Sequence, residues 1–220
     1  MKAKDEQIKK AVVDTLYWDS RVDASGIQVE VDDGTVTLGG SVPSYGVKEA
    51  SLFATWKVPG VKRVNNYSSV KFPSTAKILT DSQIEESIKK QLEWNDSTSR
   101  ENIQVKVKKG EVFLEGYVDA YWKMFRAERL ASDVIGVVDI DNKLTVVPTE
   151  DITDQVIATD IINAIDRSYL LNVDDVDVKV KDGVVTLSGN LTTRALCESA
   201  LEFAYNTYGV KGVKDRLHLK

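Results

Sequence analysis

The 220-residue chain has one cysteine, Cys197, and one histidine, His218. A single cysteine excludes an intrachain disulfide and any zinc cluster built on thiolates. A single histidine near the end of the chain leaves a catalytic dyad without a second member, so His218 is expected on the surface of a terminal strand and Cys197 packed on a helix. Apolar runs are short: none approaches the roughly 20 residues of a membrane span, and the opening MKAKDEQIKKAVVDTLYW has no apolar stretch of the length an export signal requires. Read this way the chain is expected to be soluble and cytoplasmic, with the periplasm as the alternative if the natural N-terminus is trimmed. An excess of positive charge is also missing. With 29 Lys+Arg against 34 Asp+Glu the formal net charge is −5, which argues against nucleic acid as a partner. Neither G-x-x-x-x-G-K-[ST] nor G-x-G-x-x-G occurs, and the acidic pairs Asp32-Asp33 and Asp174-Asp175 lack the alternation around a glycine turn that calcium needs. No cofactor, no metal site and no catalytic constellation is therefore expected, and the chain is not read as an enzyme.

What the chain has instead is repetition. DDGTVTLGG at 32–40 returns as KKGEVFLEG at 108–116 and as KDGVVTLSG at 181–189. The glycines align in three sets, Gly34, Gly40 and Gly60, then Gly110, Gly116 and Gly136, then Gly183, Gly189 and Gly209, at offsets of 76 and 73 residues. Such a period suits a small domain rather than a solenoid unit. Each copy starts with an i, i+4, i+8 apolar stripe, Ile8-Val12-Leu16, Ile84-Ile88-Leu92 or Ile157-Ile161-Ile165, as an amphipathic helix requires. Asp5, Asp81 and Asp154 stand three residues ahead of the stripe, where a carboxylate offsets the helix dipole, and Thr80 with Gln83 fits a capping box. Strict alternation follows, as in Ile27-Gln28-Val29-Glu30-Val31, and predicts a strand with one buried face. Asp33-Gly34, Lys109-Gly110 and Asp182-Gly183 suit a hairpin turn. Gly40, Gly116 and Gly189 are expected to bring the strand end under the next helix. Small residues such as Ala50, Ala54, Ala127, Ala131, Ala200 and Ala204 predict that this helix packs closely on the sheet, and Gly60, Gly136 and Gly209 are expected to stop it.

The fold class is thus α+β: three tandem α-β-β-α-β modules, each a small three-stranded mixed sheet covered on one face by two helices. The expected boundaries are 1–73, 78–148 and 151–220, with linkers near Pro73 and Pro148. The pattern D-x-x-I…I-x-V-x-V-x-x-G-x-V-x-L-x-G-x-V…G-V-x-x-V, carried three times over nearly the whole chain, resembles the BON domain of bacterial transport-associated and osmotic-stress proteins. The resemblance implies binding of phospholipid membranes or other ligands, rather than catalysis, and it supplies no catalytic residues.

A module of about 70 residues is marginal alone, so packing between modules is expected, with Trp18 and Trp94 among the candidate contacts. For contact with anionic phospholipid, the basic and aromatic residues Lys9, Lys10, Trp18, Trp56, Lys62 and Arg63 of the first copy, and Lys89, Lys90, Trp94 and Trp122 of the second, are the candidate surface; another protein is the other partner considered. Residues 1–73 carry 10 basic and 9 acidic groups, 74–148 carry 11 and 13, and 149–220 carry 8 and 12. An anionic partner is accordingly expected to prefer the first copy, with the third facing away or closing the structure. The alternative function is a sensor or scaffold for a small ligand or an ion such as potassium, seated between domains.

Overall fold

A computed structural model describes residues 3–150 and 152–219. The outer limits expected at Met1, Asp151 and Lys220 lie outside the described residues. The first repeat runs α1 (Ala3–Trp18), β1 (Ile27–Asp32), β2 (Thr35–Val42), α2 (Tyr45–Trp56), β3 (Arg63–Asn66) and β4 (Ser69–Val70). The second runs α3 (Asp81–Trp94), β5 (Asn102–Lys108), β6 (Glu111–Val118), α4 (Tyr121–Ser132) and β7 (Asp139–Val146). The third runs α5 (Asp154–Asp166), β8 (Val176–Lys181), β9 (Val184–Leu191), α6 (Arg194–Asn206) and β10 (Gly212–Leu219).

Each repeat builds its own sheet, ordered β1-β2-β3 with β4 also on β2, then β5-β6-β7, then β10-β9-β8. The second strand of each repeat is central. In the first repeat β1 and β2 are antiparallel with Val29 opposite Leu38, and β3 runs parallel to β2 with Val64 beside Val36. The third repeats this: β8 is antiparallel to β9, and β10 is parallel to β9. A hairpin can join antiparallel neighbours directly, whereas the parallel strand needs a crossover, and the second helix of each repeat supplies it.

The helical stripes are where the spacing puts them. Ile8, Val12 and Leu16 join Val36, Leu38, Ala50 and Ala54 in one core, while Ile157, Ile161 and Ile165 join Val185, Leu187, Cys197, Ala200 and Ala204 in another. Ile84, Ile88, Leu92, Val112, Leu114, Ala127 and Ala131 are likewise buried. Each full burial of a branched aliphatic side chain contributes about 1.5–3 kcal/mol, so the repeated stripe and the sheet residues facing it each add several kcal/mol to a module.

The second helices of the first and third repeats begin at Tyr45 and Arg194, because Ser44 and Thr193 cap α2 and α6 by accepting from Val47 N–H and Leu196 N–H. Two local expectations change. Gly60 does not end α2: that helix stops at Trp56 with Lys57 as its cap, and Gly60 comes later, where an added methyl group would press on Ile8 of α1. Gly40, Gly116 and Gly189 are needed for a close approach to the backbone at the start of the repeat's first strand rather than to the next helix. A Cβ at Gly116 would overlap the carbonyl oxygen of Asn102, and Gly40 and Gly189 meet the carbonyls of Gly26 and Asp175 in the same way.

The chain forms two compact units, one of Met1–Lys89, Lys106–Val112 and Arg129–Asp141, the other of Lys90–Val105, Phe113–Glu128 and Asn142–Lys220. Within the first unit Lys48 Nζ lies 3.9 Å from Asp139, linking the first repeat to the second. Within the second unit Tyr121 and Phe125 of α4 meet Tyr205 of α6, with ring centroids 5.2–5.5 Å apart. This aromatic contact between repeats is made by tyrosine and phenylalanine. Trp18 and Trp94 are not part of it: both are exposed.

Candidate functional site

Each module has two distinct ends. At one end the hairpin turn meets the start of the first helix. Asp182 and Gly183 take φ of 53° and 77°, and Lys109 and Gly110 take 53° and 78°, so both central residues of each turn lie in the left-handed region, as the hand of a tight hairpin demands. The aspartate ahead of the helical stripe fastens this turn. Asp154 accepts from the N–H of Asp182 and of Gly183, both at 2.8 Å; Asp81 accepts from Lys109 N–H at 2.7 Å and Gly110 N–H at 2.9 Å; Asp5 accepts from Gly34 N–H at 3.1 Å. The carboxylates thus do more than oppose a helix dipole.

Lys62 belongs to this turn end, where its Nζ lies 3.2 Å from Asp33, and exposed Arg63 follows it at the start of β3. Trp18 closes α1 at the other end, 13 residues beyond Asp5, about 20 Å along the helix axis. The structure therefore splits the candidate set of the first module. At the tryptophan end Trp18 is 80% exposed and stacks edge-on with Tyr17, which is 71% exposed. Arg21 follows Trp18 three residues later, paired with Asp19 at 2.7 Å, and that contact holds the Asp19 carboxyl down at about 2. Trp94 closes α3 in the same way and is 83% exposed.

The remaining candidates disperse. Lys9 is half-buried and Lys10 exposed on α1; Lys89 pairs with Glu85 on α3 at 2.6 Å, and Lys90 is exposed beside it. Trp56 packs against the core of the first module. Trp122 is half-buried, with Lys123 Nζ 5.9 Å from its ring centre. Lys123 itself bridges Glu101 and Asp119. Burial opposes its charge, but hydrogen bonds to Asp119 and Glu101 outweigh burial and raise its pKa above the ordinary lysine value.

The groups that carry nucleophilic or metal chemistry lie elsewhere. Cys197 is enclosed in the third core, and burial pushes its thiol up, opposite to the shift an attacking thiolate needs. His218 is exposed on β10. Among the described residues no group of three or more His, Cys, Asp or Glu side chains is placed to hold a metal ion, and no helix is long and apolar enough to cross a membrane. A cavity of about 480 Å³ lies where the chain enters the third module, lined by Val147, Pro148, Glu150, Asp154, Asp182 and Lys211 among others.

The family model for the BON domain matches residues 4–71, 80–148 and 153–220. The chain belongs to the BON-domain family. It is 30% identical over 148 residues to osmotically-inducible protein Y of Escherichia coli (strain K12), covering 64% of this chain and 74% of that protein. Among solved structures it is similar to CdsD, a structural protein of the type III secretion system of Chlamydia trachomatis, at 15% identity and a TM-score of 0.28 over 97% of this chain and 92% of that one. It is also similar to the periplasmic domain of the type III secretion inner-membrane protein PrgH from S. typhimurium, at 12% identity and a TM-score of 0.23 over 88% and 99%. At these scores the assignment rests on the sequence alone.

One set of equivalent residues in the BON modules escapes a reading of hydrophobic pattern. Asn66 Nδ2 donates to the carbonyl of Lys48, and Asn142 Nδ2 to that of Met124, tying the last strand to the second helix 18 residues earlier. The side-chain oxygens of Asn66, Asn142 and Asp215 also accept from the N–H two residues on. In the first BON module this local bond lies where β3 gives way to β4. The available signal was the polar residue standing at the same offset in all three copies.

Proposed function

We propose that this BON-domain protein is a non-enzymatic binding module of the osmotic-stress response, and that its first two modules touch anionic phospholipid through the C-terminal tips of α1 and α3. The stress assignment is supported by the likeness to osmotically-inducible protein Y. The observation that carries the lipid reading is the exposure of Trp18 and Trp94 at equivalent helix ends, 80% and 83%. An indole so placed gains by entering the boundary between headgroups and acyl chains, where its ring is apolar and its N–H still reaches water. Lys90 one turn before Trp94 adds a cation, worth about 1 kcal/mol near an anionic surface, whereas Arg21 near Trp18 is already neutralised by Asp19. The contact is peripheral in this reading.

Co-sedimentation with vesicles of mixed phosphatidylglycerol and phosphatidylcholine tests it. Binding is expected at low ionic strength, is weakened by salt, and falls at least tenfold in a Trp18→Ala, Trp94→Ala double variant whose far-UV circular dichroism is unchanged. Absence of binding at low salt, or binding indifferent to both tryptophans, overturns the lipid assignment.

The cavity beside Pro148 supports a second reading, a sensor of a small ligand or an ion such as potassium. Its volume falls within the range of small-molecule sites, and its wall includes the linker into the third module. A rise in melting temperature with potassium chloride over sodium chloride at equal ionic strength is the expected sign, and equal curves in the two salts remove the potassium form of the idea.

A further inference from the structure

The third module is the most acidic by count, yet its charge is segregated by face. Alternation along the strands sends Val176, Val185, Leu187 and Leu217 to the helix-covered side. The opposite, uncovered side receives Lys179 and Lys181 of β8 and Lys214, Arg216 and His218 of β10, all exposed, against the single carboxylate of Asp177. The register lines these up in rows across the sheet: Lys179, Thr186 and Lys214 in one, Asp177, Ser188 and Arg216 in the next. Four permanent cations against one anion make this face +3, whereas the corresponding positions of the first module hold Glu30 and Asp32 in place of Lys179 and Lys181, and Asn65 and Tyr67 in place of Lys214 and Arg216. Net charge averages over faces that a sheet keeps apart, so the most acidic copy by count still presents a basic face.

The edge matters as much as the face. In the order β10-β9-β8, β10 is an outer strand, so over Gly212–Leu219 its outer backbone groups have no strand partner among the described residues. Along it Lys214, Arg216 and His218 recur on one face every second residue, a spacing of about 6.6 Å. We infer that this edge receives an extended acidic segment of a partner protein, added as a fourth strand, with carboxylates at alternate positions lying beside Lys214, Arg216 and His218. The added backbone supplies ladder hydrogen bonds and the alternate carboxylates select the face, the division of labour of strand-addition recognition. The face itself favours a protein over other anions. Its charged rows include no aromatic ring on which a nucleobase could stack and no large apolar side chain to enter a bilayer. The site is separate from the tryptophan tips, so its fate is independent of the membrane reading.

The test uses the full chain and a fluorescein-labelled eight-residue peptide of alternating glutamate and valine, with a peptide of the same composition whose glutamates are contiguous as the comparison. Anisotropy at low salt is expected to show at least tenfold tighter binding of the alternating peptide, and amide shifts in NMR spectra are expected along β10. A Lys214→Glu, Arg216→Glu double variant is expected to lose binding at least tenfold. Should it fail to fold, the neutral Lys214→Gln, Arg216→Gln variant carries the same expectation. Equal affinity for both peptides, amide shifts that avoid β10, or affinity unchanged in a folded variant overturns the proposal. So does a variant that loses vesicle binding while the native chain ignores the peptides, which would make the face a membrane anchor instead.

Discussion

Replacing Asp154 by alanine separates two explanations of a residue that recurs at the same place in every repeat. If its carboxylate only opposes the dipole of α5, the loss is about 0.3–1 kcal/mol. The structure requires more. Both oxygens accept from the β8–β9 turn, at 2.8 Å from the N–H of Asp182 and 2.8 Å from that of Gly183. A hydrogen bond to a charged group contributes about 1.5–3 kcal/mol when shielded and less when exposed. The Asp182 bond is exposed and the Gly183 bond partly buried, so about 2–3 kcal/mol in total is expected for the pair together with the dipole. If the third module melts on its own, that is a fall of roughly 10–20 °C in its transition. Scanning calorimetry of the full chain gives the overall loss, and hydrogen exchange at the Asp182 and Gly183 amides shows whether it begins at the turn. Asp154→Glu decides the cause: glutamate keeps the charge beside the helix start but is one methylene too long for both bonds, so it is expected to lose most of the same stability. A glutamate variant as stable as the native chain, with the two amides still protected, refutes the fastening argument and returns the residue to the dipole.

Two further outcomes follow from buried geometry. Gly116→Ala drives a methyl group into the Asn102 carbonyl from a backbone already at φ of 119°, so a loss of about 2–4 kcal/mol is expected in urea unfolding, well beyond the ordinary cost of leaving glycine. Lys123, its pKa raised on balance by Asp119 and Glu101, stabilises the native chain while charged. That contribution is complete below the ordinary lysine pKa of about 10.4 and is lost as pH rises through the higher folded value. Lys123→Met is accordingly expected to cost about 2 kcal/mol near neutrality and progressively less as pH rises past the ordinary lysine pKa, a convergence that denaturation curves at several pH values will show.

Much of this protein is written in local order. The spacing of Ile8, Val12 and Leu16 and its two echoes determined three first helices, because a period of 3.6 residues puts those side chains on one stripe whatever surrounds them. The alternation at 27–31 and the Asp33-Gly34, Lys109-Gly110 and Asp182-Gly183 pairs determined three hairpins, and the threefold recurrence determined the family. What sequence could not rank were relations across distance. The pairing of Asp154 with a turn 28 and 29 residues away, the meeting of Gly116 with the Asn102 carbonyl, and the choice of Tyr121, Phe125 and Tyr205 over the tryptophans as an aromatic contact each depend on which surfaces the sheet order brings together. Charge shows the same division. Composition makes the third module acidic, but only the register puts Lys179 beside Lys214 across Thr186, and the face an ion meets is decided by folding rather than by the sum.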